Sequence, residues 1–192
     1  MPSQTEITDI LYSKIRSMGR NKIRADIASN VNLSQVYMHN ILSECIAKLD
    51  VSSRDGNNKD DDRIVVLAEA LLHFMLTATT LPPQRKIPVR DNLSIDVIVP
   101  NVQTLNRNPD KSIIVQFLSD SLDLKKIFQL EWLQPNYKNI WLIYASKPPP
   151  YKKYTIYSIL PDTSLHKSYS NIIIDITNFL KEKGDKSLRF IH

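Results

Sequence analysis

The chain has 192 residues, 42% of them hydrophobic and 23% charged, with 25 Lys and Arg against 20 Asp and Glu for a net charge of +5. That length holds one medium domain or two small ones, and that composition excludes wholesale disorder. The single cysteine, Cys45, excludes an internal disulfide framework and a multi-cysteine zinc site. One cysteine also fits a reducing interior, and the first residues lack the basic-then-apolar layout of a signal peptide. The most apolar helical run, 64 to 76, is too short to cross a bilayer and contains Glu69 and His73. A soluble, cytoplasmic protein is expected. Charge is uneven: residues 1 to 80 hold 9 basic and 10 acidic side chains (−1), and residues 81 to 192 hold 16 and 10 (+6). A basic excess of this size permits nucleic-acid binding without establishing it.

In chain order, Ser3-Gln-Thr-Glu6 has the spacing of a capping box. It leads into Ile7, Ile10, Leu11 and Ile15, which share one face of a helix. A second helix is predicted over 22 to 30 and a third over 34 to 49, the latter with Met38, Ile41, Leu42, Cys45 and Leu49 inward. Residues 52 to 63 contain no apolar side chain and read as a linker. The organisation expected is a helical part over 1–52, a polar linker over 53–62 and an α/β domain over 63–192. The helix over 63 to 79 is apolar nearly all round, so it should be buried on more than one side. Pro82, Pro83 and Pro88 end helical structure. SIDVIVP and KSIIVQFL then read as neighbouring strands, 120 to 133 as a helix, and NIWLIYA and KKYTIYSIL as further strands. YSNIIIDITNFLKEK reads as a last helix with Gly184 at its end. Near-continuous apolar strands are expected where both sheet faces are covered. The fold class predicted is α+β or α/β, helical first, then a mixed sheet.

The segment IRADIASNVNLSQVYMHNILS resembles a helix-turn-helix. Ile27 and Ala28 supply an apolar residue and then a small one for a close helix crossing, and Val31 and Leu33 flank the turn. Asn32 stands where glycine is usual, suiting a left-handed backbone. Met38 and Ile41 pack the second helix back on the first. The resemblance implies that Ser34, Gln35, Tyr37, His39 and Asn40 face outward toward base edges. Arg20, Lys22 and Arg24, with Lys14 and Arg16 upstream, would hold phosphates. A helical hairpin with a solvated polar face, used for dimerisation or docking, is the competing reading.

The second part is similar to the PD-(D/E)xK nuclease family in the order of its elements. On that resemblance Glu69 lies on the opening helix where many members keep a metal-binding glutamate, and Asp96 lies on the next strand. Gln116 replaces the second acid 20 residues later, and Leu118 stands where the lysine belongs. The family's carboxylates hold Mg²⁺ or Mn²⁺, which stabilises charge on the scissile phosphate. Glutamine brings no charge, and without the lysine several kcal/mol of transition-state stabilisation is missing. Lys125 or Lys126 is the candidate substitute. An active nuclease, a degenerate member that keeps the fold, and an unrelated α/β domain all stay open.

From 132 to 160 there is no acid, and Lys138, Lys147, Lys152 and Lys153 interleave with Tyr137, Trp141, Tyr144, Tyr151, Tyr154 and Tyr157. KPPPYKKY suits polyproline II. Lys152 and Lys153 could meet a nucleic-acid strand beside stacking tyrosines. The stretch 147–154 also suits a stiff structural loop, or an epitope for a protein partner. Trp141 and Tyr144 are expected in the core. His39, His73, His166 and His192 show no metal-ligand spacing, no nucleophile elbow is present, and there is no phosphate-binding glycine pattern. The leading expectation is a DNA-binding protein, dimeric, with a degenerate nuclease-like domain and no cofactor. A Mg²⁺- or Mn²⁺-dependent endonuclease using Glu69, Asp96 and Gln116 is the alternative. A protein-interaction scaffold without a nucleic-acid role is the third.

Overall fold

The computed structural model describes residues 4–49, 58–81, 83–88, 94–118, 124–145, 152–160 and 166–184. Ser3 and 146–151, with most of the polyproline stretch, lie outside the described residues.

Three helices come first: α1 (Gln4–Met18), α2 (Arg20–Ser29) and α3 (Leu33–Lys48). Their inner stripes are Ile7, Leu11 and Ile15, then Ile23 and Ile27, then Met38, Ile41, Leu42 and Cys45, all buried. In α1 and α3 these are positions expected from periodicity, although Ile10, expected on the same face of α1, is only half-buried. The details of the α2–α3 connection differ from expectation. Asn32 has φ −65°, a right-handed conformation, and Ala28 is exposed rather than set at a crossing. An extended Asn30 turns the chain instead, and its side-chain oxygen accepts from Asn32 N at 3.0 Å, so no left-handed residue is needed. The left-handed residue sits one junction earlier, at Gly19 (φ 84°) between α1 and α2, where a Cβ would be strained.

Helix α4 (Asn58–Ala78) is the centre of the packing. Leu67, Ala68, Leu71, Leu72 and Met75 are all fully buried, as expected of a helix apolar nearly all round. It starts inside the stretch expected to be linker. Asp60 and Asp61 occupy its first turn, where carboxylates are favoured by the helix dipole, so a run too polar for a core still suits a helix start.

The sheet is built from β1 (Gln84–Pro88), β2 (Ser94–Val99), β3 (Ile113–Leu118), β4 (Ile140–Tyr144), β5 (Thr155–Ser158) and β6 (Lys167–Ser168), in that spatial order. Strands β1, β2 and β3 are antiparallel neighbours, and β3 to β6 run parallel. The crossover from β3 to β4 is α6 (Leu124–Leu133), and α5 (Val102–Arg107) links β2 to β3. The last helix among the described residues is α7 (Ile172–Glu182), and Gly184 beyond it has φ 68°. Every residue of β3 and β4 is buried, because both faces are covered.

One apolar core joins the helices α1 to α4 and α7 to Val97, Val115, Phe117, Trp141 and Ile143 of the sheet. The second gathers Ile95, Ile98, Ile114, Leu118 and Leu142 under Leu105 of α5 and Ile127 and Leu130 of α6. Tyr169, fully buried just before α7, donates its hydroxyl hydrogen bond to Ala68 O of α4 at 2.6 Å. That bond ties the approach to α7 to the central helix α4 and is worth about 1 kcal/mol. Strands β1 and β6 and helix α5 are additions to the predicted elements. Pro88 ends β1, an edge strand, where its missing N–H leaves no inner ladder unpaired.

Candidate active site

The three antiparallel strands and α4 meet at one polar cluster. Asp96, in the apolar run of β2, is only 5% exposed. Its Oδ2 accepts from Phe117 N of β3 at 2.9 Å and from the Gln116 side-chain amide. Glu69 projects from α4. Between the two carboxylates stands the ammonium of Lys86 from β1, at 2.8 Å from Asp96 Oδ1 and at 2.9 Å and 3.0 Å from the Glu69 oxygens. Arg85 adds a second cation, 3.5 Å from Glu69 Oε1. The two expected carboxylates and Gln116 therefore converge.

The lysine is not where the resemblance implies. Lys126 lies on α6, across the sheet from α4, and the side chain of Lys125 lies outside the described residues. The ammonium comes from Lys86. In the β1–β2 ladder Arg85 pairs with Val97 and Ile87 with Ile95, so Lys86 is opposite Asp96. Lys86 has φ 47°, a conformation that costs a residue with a Cβ about 1–2 kcal/mol. Strain of this kind persists where the surroundings over-determine it, and it gathers at functional sites. Here the left-handed twist goes with a lysine directed at two carboxylates.

Burial would by itself lower the Lys86 ammonium, but its hydrogen bonds to Asp96 and Glu69 outweigh that and hold its pKa above the usual 10.5. Lys86 is thus a fixed cation at neutral pH, a donor and not a base. Its side chain remains 55% exposed, so it can turn from the carboxylates toward an incoming anion. One turn after Glu69, His73 is pushed down from the usual 6.5, first by burial and then by the Arg85 guanidinium. The folded protein therefore binds this proton less readily than the unfolded chain. Its contribution to stability is complete above pH 6.5 and is lost as the pH falls below that value. His73→Gln should flatten the melting temperature against pH over that acidic range, and an unchanged profile would remove His73 from the account.

The donor set suits a divalent cation. Glu69 and Asp96 are hard carboxylate ligands, and Gln116 Oε1 is buried with no hydrogen-bond partner among the described residues. Such an orphaned acceptor is costly in a core unless something else meets it. Two carboxylates against Lys86 and Arg85 already balance in charge, so a bound cation and Lys86 compete for the same oxygens.

The other predicted residues are placed elsewhere. Ser34 is fully buried and does not face outward, because the position lies on the inner side of the first turn of α3. The Tyr37 hydroxyl donates to Asp26, which also pairs with Lys22 at 2.5 Å. Gln35, His39 and Asn40 are exposed. The Arg20 guanidinium lies 5.9 Å over the Phe74 ring, and Arg24 is half-buried. Lys152 is exposed, while Lys153 pairs with Glu131 and lies 4.9 Å and 5.0 Å from the Tyr137 and Tyr154 ring centres. Trp141 and Tyr144 are core residues of β4, as expected. Lys86 and Arg85 are the site residues that the sequence reading missed. Their signal was faint: two adjacent cations in QRKIP, a short segment bracketed by prolines.

No protein-family profile and no curated protein matches the chain. Among solved structures it is similar to the restriction endonuclease PspGI in complex with substrate DNA, with 12% identity and a TM-score of 0.53 over 94% of this chain and 96% of that one. It is also aligned with metal-depleted Ecl18kI in complex with uncleaved DNA, at 8% identity and a TM-score of 0.49 over 93% of this chain and 80% of that one. The first likeness shows that the fold is restriction-endonuclease-like.

Proposed function

We propose that the chain is a metal-dependent DNA endonuclease whose reacting centre is Glu69, Lys86, Asp96 and Gln116. The observation that carries this reading is Lys86, whose ammonium supplies from β1 the positive group missing at position 118. The degenerate reading rests largely on that gap. A fold shared with an endonuclease solved on its substrate DNA supports duplex DNA as the partner.

In this reading Asp96, Glu69 and the Gln116 carbonyl oxygen would hold one Mg²⁺ or Mn²⁺. The cation, when bound, stabilises negative charge on the scissile phosphodiester. Phe117 N and the Gln116 amide hold the Asp96 carboxylate in place, which keeps one carboxylate oxygen oriented before substrate arrives. Lys86 exchanges a carboxylate for a phosphate oxygen and stays charged throughout. Arg85 remains on Glu69 and limits the repulsion between the acids.

A second reading keeps the DNA binding without the cleavage. It is favoured by Gln116, which brings no charge, and by a cluster whose two acids already have two cations. Both readings are tested by incubating the purified chain with plasmid DNA and Mg²⁺ or Mn²⁺. Cleavage that requires the metal and disappears in Asp96→Ala supports the enzyme. Salt-sensitive binding without cleavage supports the second reading.

The exposed face of α2 and α3, with Gln35 and Asn40, is our candidate for contact with the duplex, and a dimer presenting two such faces is part of the proposal. Arg20→Ala combined with Arg24→Ala should reduce the slope of log affinity against log salt by about 0.9 for each phosphate that is no longer neutralised. An unchanged slope removes that face from the interface.

A further inference from the structure

A cavity of about 410 Å³ lies away from the carboxylates, between α3 and the β5–β6 end of the sheet. None of its lining residues belongs to the Glu69–Asp96 cluster. From β2 to β5 there are three strand spacings, about 14 Å. One wall is a single stripe of α3, with His39, Leu42, Ser43 and Ile46 at helical spacing. The other is formed where the parallel strands end, by Ser158 at the end of β5, Ile159 and Leu160 after it, and by His166, Lys167 and Ser168 around β6, with Ser170 on the approach to α7.

We propose that this cavity binds a phosphate-bearing ligand of nucleotide size. The volume is that of a small-molecule site, and its position outside the carboxyl ends of parallel strands is where open α/β sheets hold ligands. Its walls are of two kinds. Leu42, Ile46, Ile159 and Leu160 give an apolar surface for a ring, while four serines, two histidines and a lysine give donors for an anion. Ser170 is only 7% exposed and lies in the short turn between β6 and α7. The Ser158 hydroxyl is engaged with Leu160 O at 2.6 Å, and the Ser168 oxygen accepts from Ser170 N at 3.4 Å. Lys167 is paired with Asp175 at 2.9 Å, and the same carboxylate accepts from the Tyr157 hydroxyl. A bound phosphate competes with Asp175 for Lys167, so the histidines and hydroxyls make up most of the site.

The probes are adenosine 5′-monophosphate and inorganic phosphate, titrated calorimetrically into the full chain. Saturable binding is expected, weakened at least about tenfold in His166→Ala and in Ser43→Trp, which fills the cavity from the exposed side of α3. Lys86→Met should leave it unchanged, since the carboxylate cluster is not involved. Tighter binding of the nucleotide than of phosphate assigns the apolar wall to the ring. Displacement of the nucleotide by a blunt duplex lacking terminal phosphates identifies the natural ligand as a DNA phosphate, and failure of displacement identifies it as a free nucleotide. No saturation by either probe, or equal binding in both cavity variants, overturns the proposal.

Discussion

Lys86→Met should lower the rate of metal-dependent cleavage at least about a hundredfold while duplex binding persists, since losing one preorganised donor to developing charge costs this much in related chemistry. Two consequences follow from its position between Glu69 and Asp96. Without the ammonium the carboxylates lose their internal counter-ion, so Mn²⁺ should bind the variant more tightly than the parent. Mn²⁺ should also raise the variant's melting temperature more. Lys86→Arg keeps the charge and should recover part of the rate. Lys86→Gly separates strain from chemistry: glycine accepts φ 47° freely, so this variant should be no less stable than Lys86→Met yet equally inactive. Unchanged cleavage in Lys86→Met would make the lysine a counter-ion only and remove it from the reacting centre.

How much of this was legible beforehand depends on whether a feature is local. Periodicity sufficed for the helices α3 and α7 and for strands β2, β3 and β4, whose apolar positions repeat regularly and are buried accordingly. Asp96 and Gln116 stood out because each is a polar residue inside a buried strand, and burial of such groups needs partners. Strand β1 was not legible. Three prolines within seven residues, 82, 83 and 88, read as breakers, although an edge strand tolerates proline at its end. Missing that strand meant missing Lys86, since its role exists only through the cross-strand register that sets it opposite Asp96. The start of α4 was hidden for a related reason. Its acids lack an apolar stripe, and only their location at a helix N-terminus makes them favourable. Ser34 failed in the opposite sense: a small polar residue read as outward lies on the buried side of α3, where a hydroxyl takes little space.

Gln116→Glu should do two opposed things. Without metal it replaces a donor to Asp96 with a second carboxylate in a fully buried position. Removing a buried partner and adding a like charge should destabilise the protein by on the order of 3 kcal/mol at neutral pH. Two adjoining buried carboxylates do not both ionise easily, so one keeps its proton to a higher pH than in the unfolded chain. The penalty is therefore absent below about pH 4, the ordinary glutamate range, and grows as the pH rises through the raised value. With Mn²⁺ or Mg²⁺ the sign reverses. The added charge completes a set of three acids around the cation, so metal affinity and cleavage should both exceed those of the parent, and the metal should restore the lost stability. Melting curves with and without Mn²⁺ across pH, alongside plasmid cleavage, read both effects. A Gln116→Glu protein that is destabilised but gains neither metal affinity nor activity would show that position 116 does not face the cation. In that case the buried amide serves only to hold Asp96.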